Sequence, residues 1–314
     1  MEWYEAARYI FIGFFATIVG GFWGLGGGVF IVPALLISGI DISIAAPASL
    51  FQMLPSSFRT VRKQFPLIGW TKDSWGRRVA IPLCGATFVG GFLGKPIGYW
   101  LLVYSGSSMV REGFYLILIG FMLYKTLADK KNHGPRSDST ASGMKVYLTV
   151  IAGGGIGAVS TLLGIGGGSL TRPVMASFFK MPEKTVGQIA RLSVFMTAAA
   201  GTISYLFLHT NNLEKSDGTT QIISIGVALA IGGVFGFPTG ARMHAIVLEA
   251  KRDQDARKGF GILLGLLFLC IASKLIGQEL LSQIMILGSG LFVCVYIMNL
   301  TKKSKKIIGC TNED

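Results

Sequence analysis

Two long apolar stretches, at residues 8 to 38 and 145 to 179, constrain this chain more than any other feature. A bilayer core of about 30 Å is crossed by roughly 20 helical residues at 1.5 Å each, so either stretch crosses with many residues left over. Each must bend or turn back, and the place is marked by glycines. The first carries Gly24-Leu25-Gly26-Gly27-Gly28 followed by Pro33, and the second Gly164-Ile165-Gly166-Gly167-Gly168 followed by Pro173. A hairpin is expected in each, made of two full spans or of two re-entrant half-helices, with its turn at the glycine cluster.

The other apolar runs, at 43 to 59, 79 to 103, 110 to 127, 185 to 208, 220 to 246, 259 to 276 and 280 to 300, have the length of single spans. Hydrophobic residues make up 51% of the chain and charged residues 14%, whereas soluble domains carry about a quarter charged. With 21 Phe and 11 Met the chain is not a disordered one either. The class is an all-α polytopic membrane protein. In a soluble protein a net charge of +13 would suggest nucleic acid. Here the basic residues gather in short loops with no basic helix face, so they report topology and no nucleic acid partner is expected. Cys84, Cys270, Cys294 and Cys310 form no C-x-x-C pair, which predicts neither disulfide nor metal site.

Lysine and arginine counts assign the loops 59 to 78, 125 to 145 and 242 to 258 and the tail beyond 300 to the cytoplasmic face. The sparse basic residues Arg111, Lys215 and Lys274 leave their loops outside. By parity the stretch 145 to 179 starts and ends inside, which requires the hairpin; by analogy the first stretch starts outside. A multi-pass protein of the cell (inner) membrane follows, with its N-terminus outside and its C-terminus in the cytoplasm.

The two glycine motifs are 140 residues apart (24 to 164, 33 to 173). A second pair, Gly90-Gly91-x-x-Gly94-x-Pro96-x-Gly98 and Gly232-Gly233-x-x-Gly236-x-Pro238-x-Gly240, recurs in the same order at 142 (90 to 232). Two motifs in one order make a duplication. Each copy reads as a Gly-rich hairpin plus three spanning helices, and since the copies begin on opposite sides they form two inverted-topology repeats. The expected organisation is a first membrane repeat at 1–127, a cytoplasmic linker at 128–144, a second repeat at 145–279, an additional transmembrane helix at 280–300 and a basic cytoplasmic tail at 301–314.

A glycine triplet followed by proline, repeated in the second half of a polytopic chain, resembles the TauE/SafE sulfite exporter family over nearly the whole length. The resemblance implies export of sulfite, organosulfonates or related small anions. The family's small-residue stretch ending in a hydroxyl and Leu is matched by Ala48-Ser49-Leu50, but the second copy reads Ala190-Arg191-Leu192. An arginine in place of the hydroxyl points to an asymmetric ligand contact.

Several residues are candidates to bind a small anionic substrate. Glycine turns at membrane depth leave backbone N–H groups to face protein, water or ligand, and half-helices starting there aim positive ends at an anion, so Gly24, Gly26, Gly27, Gly28 and Pro33 join Gly164, Gly166, Gly167, Gly168 and Pro173. The bland alternative is that these glycines only permit a tight turn and close packing. Lys95, Arg172 and Arg191 are basic residues within apolar stretches with no acid beside them, and an uncompensated cation there costs at least about 2.5 kcal/mol, which suggests an anionic partner. Carbonyl pairing or snorkelling is the alternative for each. Ser49 and Gln52 in the first copy and Gln188 and Ser193 in the second could complete a polar path or hydrogen-bond between helices. The glycines at 90 to 98 and 232 to 240 are read as helix packing.

No catalytic constellation or cofactor motif is present: His133 lies in a polar loop, and His209 and His244 read as boundary anchors. No intramembrane carboxylate marks a proton or sodium path. An anion leaving a negative interior gains about 2.3 kcal/mol per charge per 100 mV, so export needs no coupling ion. The reading is therefore a secondary transporter that exports a small anion by alternating access, with an anion channel and a membrane scaffold or enzyme acting through its loops as alternatives. The oligomeric state is not legible.

Overall fold

The computed structural model describes residues 3–68, 74–105, 108–128, 146–177, 181, 183–207 and 216–311. Every regular element among them is helical. The first half folds into α1 (Trp3–Trp23), α2 (Gly28–Ile37), α3 (Ile42–Gln64), α4 (Ile81–Ser105) and α5 (Ser108–Ala128). The second folds into α6 (Val146–Leu163), α7 (Gly168–Ser177), α8 (Glu183–Phe207), α9 (Ser216–Glu249) and α10 (Asp253–Leu275), and α11 (Glu279–Thr311) follows. Seven helical segments, carried by α1, α4, α6, α8, α9, α10 and α11, are long and apolar enough to cross a membrane. The chain is a multi-pass helical membrane protein. The sequence linker at 128–144 and the 209–220 loop lie mostly outside the described residues.

The hairpins take neither of the two forms that the sequence left open. Each pairs one long arm with one short arm: α1 has 21 residues and α2 has 10; α6 has 18 and α7 has 10. At 1.5 Å per residue the short arms reach only about 15 Å, half a bilayer core. α2 stops where Gly39, at φ 83°, turns the chain, with its N–H donating to Leu36 O and the N–H of Ile40 to Leu35 O. α3 then starts on Asp41, whose carboxylate accepts from the N–H of Ser43 at 2.7 Å.

The helix pairing maps onto itself when the two halves are exchanged. α1 lies along α9, and its counterpart α6 lies along α4; α3 meets α8, and α5 meets α10. Glycines make the first two contacts close. A Cβ added at Gly13 or Gly21 of α1 would collide with the carbonyls of Leu229 or Phe237, and one added at Gly232, Gly236 or Gly240 of α9 with those of Ile10, Phe14 or Ile18. In the matching pair, Gly90 stands against Gly154 O, Gly153 against Leu83 O and Gly157 against Thr87 O. The glycine rows at 90 to 98 and 232 to 240 thus let backbones touch, as the spacing predicted. Lys274 on α10 and Glu112 on α5 are joined by an ion pair of 2.9 Å.

α11 packs on α10, α9, α1 and α2. It covers the short arm of the first hairpin, where Gly290 faces the Phe30 ring and Gln283 Nε2 donates to Ile37 O. Its opposite side exposes Leu280, Ile284, Leu287 and Leu291, an apolar face suited to lipid. The helix runs past residue 300 through the exposed Lys302, Lys303, Lys305 and Lys306, with Thr301 and Ser304 buried beneath them.

Candidate functional site

The turns between long and short arms are where glycine is required. Gly24, Gly26 and Gly27 have φ of 73°, 88° and 90°, and Gly164 and Gly166 have 69° and 71°, the left-handed region that other residues enter at a cost. In both, the chain first folds back: Leu25 N–H donates to Gly20 O at 2.7 Å, and Ile165 N–H to Ser160 O at 3.1 Å. The turns then bear on each other. A Cβ at Gly28 would collide with Gly164 O, and one at Gly168 with Gly24 O, a reciprocal contact at the 140-residue offset. The N-terminal ends of α2 and α7, with backbone N–H groups that lack intrahelical partners, therefore each start, buried, against the opposite turn. Pro33 and Pro173 lie one turn inside these short helices, both buried or partly so among them.

α3 and α8 cross beside the paired turns and supply polar side chains to them. Ser49 Oγ donates to Gly164 O at 2.9 Å. The Gly167 N–H donates to Thr197 Oγ1 at 2.7 Å, and Thr171 Oγ1 donates to Ser193 Oγ at 2.9 Å. Gln52 Nε2 donates to Ser56 Oγ at 3.1 Å, while Gln52 Oε1 is buried without a hydrogen-bond partner. Gln188 is buried on α8 just before Arg191. Met53, Val194 and Ala198 form a small apolar cluster of their own. The sulfur of Met53 reaches both Gly26 and Gly166, so an apolar plug seals the gap between the turns.

Two of the three Lys and Arg residues buried among the described residues converge on the end of α1. Arg172, on α7, donates through Nη1 to Trp23 O. Arg191, on α8, donates through Nη2 to Gly21 O at a long 3.5 Å and lies 3.3 Å from His244 Nδ1. Carbonyls at a helix C-terminus carry partial negative charge and attract cations, so α1 gathers two guanidiniums beside the first turn. Trp23 fixes that end by donating from Nε1 to Ala256 O at 2.9 Å. Lys95 does not join them. Its Nζ donates to Tyr205 O at 3.3 Å and sits 5.8 Å from the Tyr205 ring, at the other end of α8.

His244 is the residue that sequence reasoning passed over. It is not a boundary anchor but 2% exposed, packed edge-on against the Phe22 ring at 5.3 Å. A signal was present: it continues the four-residue spacing of Gly232, Gly236 and Gly240, so it falls on the face of α9 that the glycines press against α1.

Comparison with known proteins places the chain among membrane transporters. The chain is 24% identical over 241 residues to the probable membrane transporter protein MJ0441 of Methanocaldococcus jannaschii, covering 75% of this chain and 85% of that protein. It is 26% identical over 262 residues to the probable membrane transporter protein YunE of Bacillus subtilis, covering 75% and 87%. No solved structure matches. The family description "Sulfite exporter TauE/SafE" fits residues 9–275, from within α1 to the last residue of α10, leaving α11 outside. A match of that extent takes in both hairpins and α3, α4, α5, α8, α9 and α10, and the chain accordingly belongs to the TauE/SafE sulfite exporter family, a family of membrane transporters and not of enzymes.

Proposed function

We propose that the chain exports a small anion, such as sulfite, an organosulfonate or a related carboxylate, by alternating access between two inverted-topology repeats. The repeats are residues 1–127 and 145–279, joined by a cytoplasmic linker, with the N-terminus outside and the C-terminus, after the additional helix 280–300 and its basic tail 301–314, inside. The observation that carries this reading is the meeting of the two glycine turns with two guanidiniums beside them. Half-helix N-termini and arginine forks both favour an oxyanion, and the planar fork donates two parallel hydrogen bonds to a sulfonate or carboxylate. The reciprocal packing of α1 on α9 and α4 on α6 supports repeats that exchange places as the site opens to one side and then the other. Membership of a sulfite exporter family supports the substrate class.

The test is efflux from proteoliposomes loaded with labelled sulfite, ethanesulfonate or acetate. A carrier gives saturable efflux of at least one of them, lost in Arg191→Ala, and selective stabilisation of the purified protein by the same anion. Flux that rises without saturation, with single-channel currents, identifies a channel instead. A folded protein that moves and binds none of these anions contradicts the proposal.

A further inference from the structure

His244 has no role in the reading above, yet its surroundings are those of a ligand site. Its Nδ1 lies 3.3 Å from Arg191 Nη2. A guanidinium only donates, so Nδ1 accepts and the ring proton sits on Nε2. That Nε2–H is buried with no hydrogen-bond partner. A buried donor without an acceptor is rare and unfavourable, and beside two guanidiniums the acceptor that suits it is an anion.

The charges around the ring say the same. Arg191 on α8 and Arg172 on α7 both act on it electrostatically. From α1 it meets Phe22. On α10, Arg257 acts on Arg172, while Asp255 is held by Arg252 and Lys258. Arg59, Arg62 and Lys63 of α3 are exposed, as are Arg242 and Glu249 on α9 itself, and from α11 the Tyr296 hydroxyl donates to the backbone carbonyl of Asp255. The site is cationic when empty, and an anion is the partner that offsets this buried charge.

We infer that His244 completes a buried anion site with Arg172 and Arg191, and that binding of the anion brings one proton onto His244. The inference rests on the anion-carrier reading and names its coupling. An entering oxyanion draws the Arg191 fork away from Nδ1 and lowers the local positive charge by one. A proton from bulk water then binds Nδ1, and the imidazolium donates through Nε2–H to the anion. Anion and proton together carry no net charge, so the loaded and empty sites hold the same charge, and net export follows the combined anion and proton gradients. An imidazole suits this task because its proton exchange falls near neutral pH.

Ethanesulfonate is the probe, since it stays fully ionised and any proton taken up belongs to the protein. Binding to the purified full chain is measured by calorimetry and, in weakly buffered solution with a pH indicator, by proton uptake. Wild type is expected to take up about one proton per anion, with affinity falling as pH rises between about 6 and 8 by up to about tenfold per pH unit. His244→Gln keeps a donor at this place and is expected to bind about tenfold more weakly, with no proton uptake and no pH dependence. Nitrogen-15 spectra of the wild-type histidines, which need no variant, should show His244 change from the neutral Nε2–H tautomer to imidazolium on adding ethanesulfonate. Binding without proton uptake, or pH dependence that survives in His244→Gln, overturns the inference and leaves the carrier reading standing. Failure of wild type to bind ethanesulfonate, sulfite or acetate overturns both.

Discussion

The two glycine turns share a backbone path and differ in what holds them. Neutral groups pin the turn at Gly164 to Gly167: Ser49 Oγ donates to Gly164 O, Ser169 Oγ to Gly166 O, and Thr197 Oγ1 accepts from Gly167 N–H. The turn at Gly24 to Gly27 instead follows a helix end whose carbonyls, at Gly21 and Trp23, receive Arg191 and Arg172. Ser49 and Arg191 occupy matched places, Ala48-Ser49-Leu50 against Ala190-Arg191-Leu192. At Gly24 the stem of Arg191 packs where an added Cβ would lie 3.3 Å from its Cγ, and the head runs on toward His244. The two turns thus share their geometry, while the buried guanidiniums stand beside only one of them.

The comparison breaks most completely where the turns touch. Gly28→Ala and Gly168→Ala should each prevent a folded, monodisperse protein, an effect of about 3 kcal/mol or more, because the new Cβ meets a backbone carbonyl that cannot move aside. Gly265→Ala on α10, with nothing within 4 Å of the added Cβ, should be neutral or stabilising by up to about 1 kcal/mol. Size-exclusion profiles and Tm separate the two outcomes. A stable Gly28→Ala would mean that the turns do not bear on each other.

The next largest effect is on binding. Arg191→Ser gives the second half the residue of the first, where Ser49 donates to the Gly164 carbonyl. The fold should persist while anion efflux falls about tenfold or more. Arg191→Lys should lie between, since it keeps the charge and loses the planar fork. Efflux unchanged in Arg191→Ser would place the ligand contact elsewhere.

Most of the helical framework was legible because an apolar run of spanning length has few alternatives in a bilayer. The run 185 to 208 became α8 at Glu183–Phe207, and 259 to 276 became α10 at Asp253–Leu275. The turns were legible from glycine alone. The unequal arms were not, because hydrophobicity continues unbroken through Gly24 to Gly28 and says where the chain turns without saying how deep. The fate of the cations was hidden for another reason. Arg172 meets Trp23 across 149 residues and Arg191 meets Gly21 across 170, contacts that depend on which helix end stands beside α7 and α8. Ser49 and Ser193 were singled out as polar neutrals on spans, and the structure shows hydrogen bonds for both, one to the opposite turn and one to Thr171.

The hydroxyls that pin the second turn should matter less than its glycines and in a definite order. Thr197→Val removes the acceptor of the Gly167 N–H and leaves a buried donor, costing about 1 to 3 kcal/mol. Ser49→Ala removes a donor from a carbonyl, costing about 1 kcal/mol. Denaturation in matched detergent should rank Thr197→Val as the more damaging, and the reverse order would show that the Ser49 contact, not the Thr197 contact, anchors the turn.

The smallest effect is expected at the cation that stands apart. Lys95 and Arg191 both lie in apolar helices, and the sequence favours Arg191, about two turns into its span, without showing what either one meets. Arg191 and Tyr205, the partner of Lys95, are 14 residues apart on α8 (205 minus 191), about 21 Å along the helix axis. At that distance and through intervening protein, Lys95 neither touches an anion at Arg191 nor replaces it. The Tyr205 carbonyl and ring supply the compensation that a buried ammonium requires. Lys95→Gln, which still donates to the carbonyl, should therefore leave anion affinity within about twofold of wild type and Tm within a few degrees. If Lys95→Gln instead abolishes efflux while binding persists, the far end of α8 takes part in moving the anion and the site is not one-sided.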